Sequence, residues 1–294
     1  MILSRRSLLS GAAGVLAAEF APSGRGAPKA PRAGCQANGW NLDPAKFDLL
    51  LTAVREMKEL GFQGFETNLR FVQPQLGRLA EARAALEQFG LEFIAAHTNV
   101  PDYEKLGLEQ AADQVAKAAE QARQFGAHAL VMSHRGLSPT GEFTEQALDA
   151  KAKMLNLAGQ RCADAGLTLA YHNHQPEFRN HAAEELGLLR STDPKLVFLM
   201  LDIGHAWLAD PDAISAFAAH PERAFGLHVR DFHNRVSVPL GQGEFPLRQL
   251  AEVVRKTGWS GWLIDEEERP NEPDKPGMKA TGPSRKAMKE IFGV

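Results

Sequence analysis

An amphipathic helix, a glycine and then a short apolar run recur along this chain, and that order constrains the fold more than any other feature. The apolar runs cover residues 33–37, 64–66, 91–97, 129–134, 167–172, 196–202, 224–228 and 261–266. Between the first two, Phe47, Leu50, Leu51, Val54, Met57 and Leu60 keep the three-and-four spacing that buries one helix face, and Gly61 stops the helix. The same spacing predicts helices over 76–89, 107–125 and 144–165, closed by Gly90, Gly126 and Gly166, and over 213–219 and 247–257. Strands that alternate with helices pair in parallel through crossovers. Eight such units in a chain of 294 residues fit a closed (β/α)8 TIM barrel, about 250 residues in its usual form, better than an open doubly wound sheet. No GxGxxG follows the first run, which further weakens a dinucleotide-binding fold. The expectation is a single-domain α/β barrel over residues 31–294.

Reactive groups of such a barrel gather at the C-terminal ends of its strands. Glu66, His97, His134, His172, His174, Asp202, His228 and Glu266 all stand there. His172 and His174 are two residues apart and share a face of an extended chain. Alternation likewise aligns Asp202 with Met200, and Glu266 with Ile264 and Trp262, and turns Asp265, Glu267 and Glu268 away as a solvated charge run. His97 or His134 alone would read as a hydrogen-bonded structural histidine. So many ionisable groups on one rim do not, because unpaired burial is costly for each of them. A divalent cation supplies the compensation, and mixed imidazole and carboxylate ligands suit Mn, Co, Zn, Mg or Fe. Glu66, His97, His134, His205 and Asp231 are then candidate substrate contacts, and Glu177 follows on the loop after His174.

The first residues carry Ser4-Arg5-Arg6-Ser7-Leu8-Leu9, a twin-arginine pattern, before an apolar stretch too short to span a membrane. Residues 1–30 are expected to be an export signal and linker, used by the Tat export machinery. The mature protein would be periplasmic or secreted, with no stable membrane anchor. A net charge of -3 leaves no basic field for a phosphate backbone, so nucleic acid is a poor partner. Cys35 and Cys162 have no CxxC neighbour and read as buried thiols.

Several segments together resemble the xylose isomerase-like barrel superfamily, the sugar phosphate isomerase/epimerase group. They are Gly61-Phe62-Gln63-Gly64-Phe65-Glu66, Tyr171-His172-Asn173-His174 with Glu177-Phe178, and Leu201-Asp202-Ile203-Gly204-His205. Leu227-His228-Val229-Arg230-Asp231, Pro239-Leu240-Gly241-Gln242-Gly243-Glu244 and the terminal 262–266 complete the pattern. The resemblance implies a metal held by His172, Asp202, His228 and Glu266. The family's epimerases carry glutamate where this chain has His172, so either His172 or Glu177 is the fifth-strand ligand.

The chemistry implied is proton abstraction next to a carbonyl through a metal-stabilised enediolate. The leading expectation is a divalent-metal-dependent isomerase or epimerase of an unphosphorylated sugar or keto-sugar, with Glu266 and either Glu177 or His174 moving protons. A 3-keto-glycoside lyase or hydrolase, or a dehydratase, would use the same site. A non-catalytic sugar-binding barrel is the alternative from another class. An endonuclease IV-like phosphodiesterase would need a basic groove that the charge does not supply.

Overall fold

Eight parallel strands close on themselves in the computed structural model, which describes residues 30–268 and 274–294. The twin-arginine pattern lies outside the described residues. The chain runs β1 (Arg32–Gln36), α1 (Phe47–Glu59), β2 (Gly64–Asn68), α2 (Leu79–Glu87) and β3 (Glu92–Asn99). It continues through α3 (Tyr103–Leu106), α4 (Leu108–Gln124), β4 (Ala129–Ser133), α5 (Glu145–Asp164), β5 (Thr168–His172) and α6 (Gln175–Ser191). Then come β6 (Val197–Asp202), α7 (Ile203–Ala209), α8 (Ala213–Ala219), β7 (Ala224–Val229) and a small hairpin, β8 (Asp231–His233) with β9 (Val236–Val238). It ends with α9 (Leu247–Thr257), β10 (Trp262–Asp265) and α10 (Met278–Phe292). Around the barrel the order is β1-β10-β7-β6-β5-β4-β3-β2, a (β/α)8 TIM barrel as expected.

Glycine stop signals act through backbone geometry. Gly126 and Gly166 follow α4 and α5 at φ of 92° and 76°, where a side chain would be strained. The floor of the barrel is packed by Ile94, Ala95, Ala129, Val131, Ala170, Met200, Trp262 and Ile264. Two strand glycines make that packing possible. A Cβ at Gly64 would come within 2.7 Å of Ile94 and 2.8 Å of Trp262, and one at Gly226 within 2.8 Å of the Met200 sulfur. This filled floor leaves the polar strand ends above it as the mouth.

Three local features depart from the sequence reading. Glu177 is in the first turn of α6 rather than on a loop: its carboxylate accepts from the His174 amide at 3.2 Å as half of a capping box. Helix α10 escapes pattern recognition because Gly282 and Pro283 interrupt it. Asp265 and Glu267 are not solvated, with exposures of 1% and 4%. Asp265 does face away from the barrel interior, but that face is covered by protein, with Ser284 of α10 hydrogen-bonded to its carboxyl. Burial and the neighbouring Glu267 raise its pKa well above the usual carboxylate range. Cys35 and Cys162 are buried and free, as read. No described helix is long and apolar enough to cross a membrane.

Asp231, expected on substrate, is committed to its own loop. Its Oδ1 accepts from the Phe232 and Phe245 amides and its Oδ2 from those of Gly241 and Gly243, each at 2.9 Å. A Cβ at Gly243 would sit 2.2 Å from Asp231 Oδ1, so only glycine lets the backbone approach so closely. Hydrogen bonds to a charged group contribute more than neutral ones, and Asp231→Ala orphans buried amides. Urea denaturation of Asp231→Ala should show a loss of roughly 3 kcal/mol or more; a loss under about 1 kcal/mol would contradict the anchoring role.

Candidate active site and metal cluster

Strand register brings the mouth together. Asp202 on β6 pairs with His228 on β7, and His228 pairs with Ile264 on β10, two residues before Glu266. On the other side Ser133 of β4 pairs with His172 of β5. His172, Asp202, His228 and Glu266 each present a donor atom within 4.8 Å of the others, and all four are buried. His172 Nε2 lies 3.8 Å from Asp202 Oδ2 and 3.7 Å from Glu266 Oε2. Asp202 Oδ2 and His228 Nδ1 meet charged neighbours, Arg230 Nε at 3.1 Å and Glu266 Oε2 at 2.7 Å, whereas among the described residues neither His172 ring nitrogen has a hydrogen-bond partner. Buried polar atoms are rarely left so. The donor set is one that could hold a divalent metal.

Protonation follows from surroundings. Burial drives the His172 pKa down to about 3, leaving a neutral imidazole able to donate a lone pair. Burial would depress His228 too, but the Glu266 and Glu66 carboxylates raise it well above the usual range. His228 Nε2 stands 3.1 Å from Glu66 Oε2, which turns Nδ1 toward Glu266 Oε2 at 2.7 Å. Glu66, expected on substrate, is thus wholly buried behind His228, with His97 Nδ1 also 3.4 Å away. A carboxylate in this position fixes the orientation and tautomer of a ligand histidine. Burial would raise the Glu66 pKa, yet His228 and His97 bring it to about 2.

The remaining expected residues divide. The Glu177 carboxylate turns outward, accepting from the Tyr171 hydroxyl at 2.8 Å and lying 3.7 Å from Lys151 Nζ. Of the two candidate fifth-strand donors, His172 stands in the four-residue cluster and Glu177 does not. His174 is half-buried, its ring 5.1 Å from that of His172. His134 lines a cleft of about 390 Å³ with Asn99, Ser133, Arg135 and His174. His97 sits between, its ring 5.1 Å from His172 and its Nε2 3.2 Å from the Ser133 hydroxyl. His205 Nε2 is 2.9 Å from Arg230 Nη1. Arginine can only donate, so this nitrogen accepts and the proton is on Nδ1. Burial lowers the His205 pKa and keeps the ring neutral. It is therefore a hydrogen-bond donor through Nδ1.

Three residues were missed by the sequence reading. Arg230 is 4% exposed and reaches both acids of the cluster. It lies two residues after His228, the spacing that linked His172 with His174, and that signal would have found it. Asn173 pairs with the Asp202 backbone, donating to its carbonyl at 3.1 Å and accepting from its amide at 2.8 Å. Asn38, just past β1, donates to Glu266 Oε1 at 3.3 Å.

The sequence profile of the xylose isomerase-like TIM barrel matches residues 54–291. The inosose dehydratase of Bacillus licheniformis is 26% identical over 243 residues, covering 71% of this chain and 77% of its own. Among solved structures, an L-ribulose 3-epimerase superposes with a TM-score of 0.73 at 18% identity, covering 90% of this chain and 95% of its own. The 3-keto-D-glucoside 4-epimerase from E. coli gives 0.67 at 17%, covering 90% and 100%. These likenesses carry the fold.

Two outcomes test the geometry. Glu66→Gln should weaken divalent-metal binding by about 10–100-fold with the protein still folded; unchanged affinity would contradict its hold on His228. A metal at Nδ1 must displace a proton whose folded pKa lies above the ordinary histidine value. Affinity should therefore rise as pH rises, by about tenfold per unit while His228 remains protonated in the metal-free protein, with proton release seen in the buffer dependence of calorimetric enthalpy.

Proposed function

The chain belongs to the xylose isomerase-like TIM barrel family, and on that premise we propose that it is a divalent-metal-dependent dehydratase or lyase of an unphosphorylated keto-sugar or keto-cyclitol. The reaction removes the proton next to the carbonyl and expels a hydroxyl or other oxygen substituent β to it. The observation that carries this reading is the arrangement on the fifth strand. His172 is in the cluster, Glu177 faces Tyr171 and Lys151, and the group left open to the cleft is the His174 imidazole.

His172, Asp202, His228 and Glu266 would hold a divalent ion, which would supply Lewis-acid polarisation of a substrate carbonyl. The protein does the rest. Glu266 is held as a carboxylate: burial would raise its pKa, but Arg230 and His228 bring it well below the usual range. It is a poor proton donor in consequence. His174 takes the α-proton from carbon, leaving the electron pair in the forming enediol, and returns a proton to the departing oxygen. Relatives named inosose dehydratase, at about one-quarter identity, agree with such an elimination.

Epimerisation at the same carbon is the second reading, with His174 and Glu266 as an unlike pair in place of two glutamates. It shares the abstraction step and differs in where the proton returns. A non-catalytic sugar-binding barrel would keep its ligand after chelation and turn nothing over. We also place the mature protein outside the cytoplasm on the pattern at residues 4–9, which favours substrates without phosphate; a reporter fusion whose export fails when both arginines are replaced by lysine would support this.

Metal-loaded protein incubated with keto-inositols and 3-keto-glycosides should give an absorbing enone or enol product, lost on chelation. His174→Ala should keep its metal while kcat falls about 10²–10⁴-fold. Asp202→Ala should lose metal and turnover together. Full turnover by His174→Ala, or full metal retention by Asp202→Ala, would overturn these assignments.

A further inference from the structure

Arg230 enters the cluster from the end of β7 and meets both of its acids. Its Nε is 3.1 Å from Asp202 Oδ2 and 3.3 Å from Glu266 Oε2, and its Nη2 is 3.2 Å from Glu266 Oε1. Glu268, with 37% of its side chain exposed at the rim, accepts from the same Nη2 at 2.6 Å, and Nη1 is spent on His205. The Asp202 and Glu266 oxygens that face Nε are also the ones nearest His172 Nε2, at 3.8 and 3.7 Å. A guanidinium stays charged in proteins, so this cation is permanent. Charges this close in a desolvated site interact far more strongly than at a surface.

We propose that Arg230 sets the metal affinity of the cluster, sharing the Asp202 and Glu266 carboxylates with the ion and weakening the grip on it. The inference rests on reading His172, Asp202, His228 and Glu266 as a metal site. A weaker grip leaves more of the ion's charge for substrate oxygens, and in the metal-free protein the same guanidinium balances two buried acids. A purely structural role makes the opposite forecast: losing Arg230 would disorder the donors and loosen the metal.

The test is titration of Mn2+ into wild type, Arg230→Met and Arg230→Lys by calorimetry, with thermal unfolding of metal-free and Mn2+-loaded forms. Arg230→Met should bind Mn2+ roughly tenfold more tightly or better, although it is less stable without metal, so the Tm gap between the two forms widens. Arg230→Lys keeps the charge and should remain near the wild-type constant. Unchanged or weaker binding by folded Arg230→Met overturns the inference. Should Arg230→Met not fold without metal, it is refolded in Mn2+ and the release of the ion to a chelator is timed beside wild type: release roughly tenfold slower is expected, and equal or faster release overturns the inference. A wild type that takes up no Mn2+, Co2+ or Zn2+ would sink the metal reading and this inference together. A wild type that binds, with an Arg230→Met that binds no tighter, sinks this inference alone.

Discussion

Three carboxylates, Glu66, Asp202 and Glu266, are buried within one small volume at the top of the barrel, and their mutual repulsion is the constraint around which the mouth is built. Each would neutralise by taking up a proton if left alone in a desolvated place. Instead the protein meets them with His228 and Arg230, and holds Glu66 and Glu266 below the ordinary carboxylate range. One donor atom from each of His172, Asp202, His228 and Glu266 lies within 4.8 Å of the others. A divalent cation among them would complete the balance and could polarise a substrate carbonyl.

Strand alternation separates this cluster from a second buried network with a different task. On β5, His172 faces inward while Tyr171 faces the helices and donates to Glu177. Lys151 of α5 lies against Glu184, to which it donates, and near Glu177, while Glu184 accepts from the Leu137 amide at 2.8 Å. These contacts tie the segment after β4 to the start of α6, where the Glu177 capping box fixes the His174 backbone. The ring of His174 lies between those of His172 and His205, at 5.1 and 5.9 Å. A main chain fixed in this way holds the imidazole at the edge of the cleft it lines.

Much of the barrel was legible because the period of its apolar residues matches its elements. Helices α8 and α9 begin and end where their spacing predicts, and the inward set on each strand follows from a period of two. The same periods placed His172, Asp202, His228 and Glu266 at strand ends, and the family resemblance singled them out as one set. Side-chain direction past the strand ends was not. Asp231 is claimed by backbone amides of a loop that no periodic pattern describes, and Glu177 by Tyr171 and Lys151, which are remote or outward-facing in the sequence pattern. Asp265 reads as solvent-facing only if the outer face of the barrel is forgotten, since that face too is covered. Arg230 was overlooked because a positive residue is not a metal ligand, although its place two residues after His228 put it on the same face.

The central claim is that four side chains from the last four barrel strands and their ends converge on one cation. Anomalous scattering from crystals soaked in Mn2+ or Zn2+ tests it most directly. The account predicts a single strong peak about 2.0–2.4 Å from His172, Asp202, His228 Nδ1 and Glu266. A peak bound elsewhere, or none among these four residues at saturating metal, would contradict it.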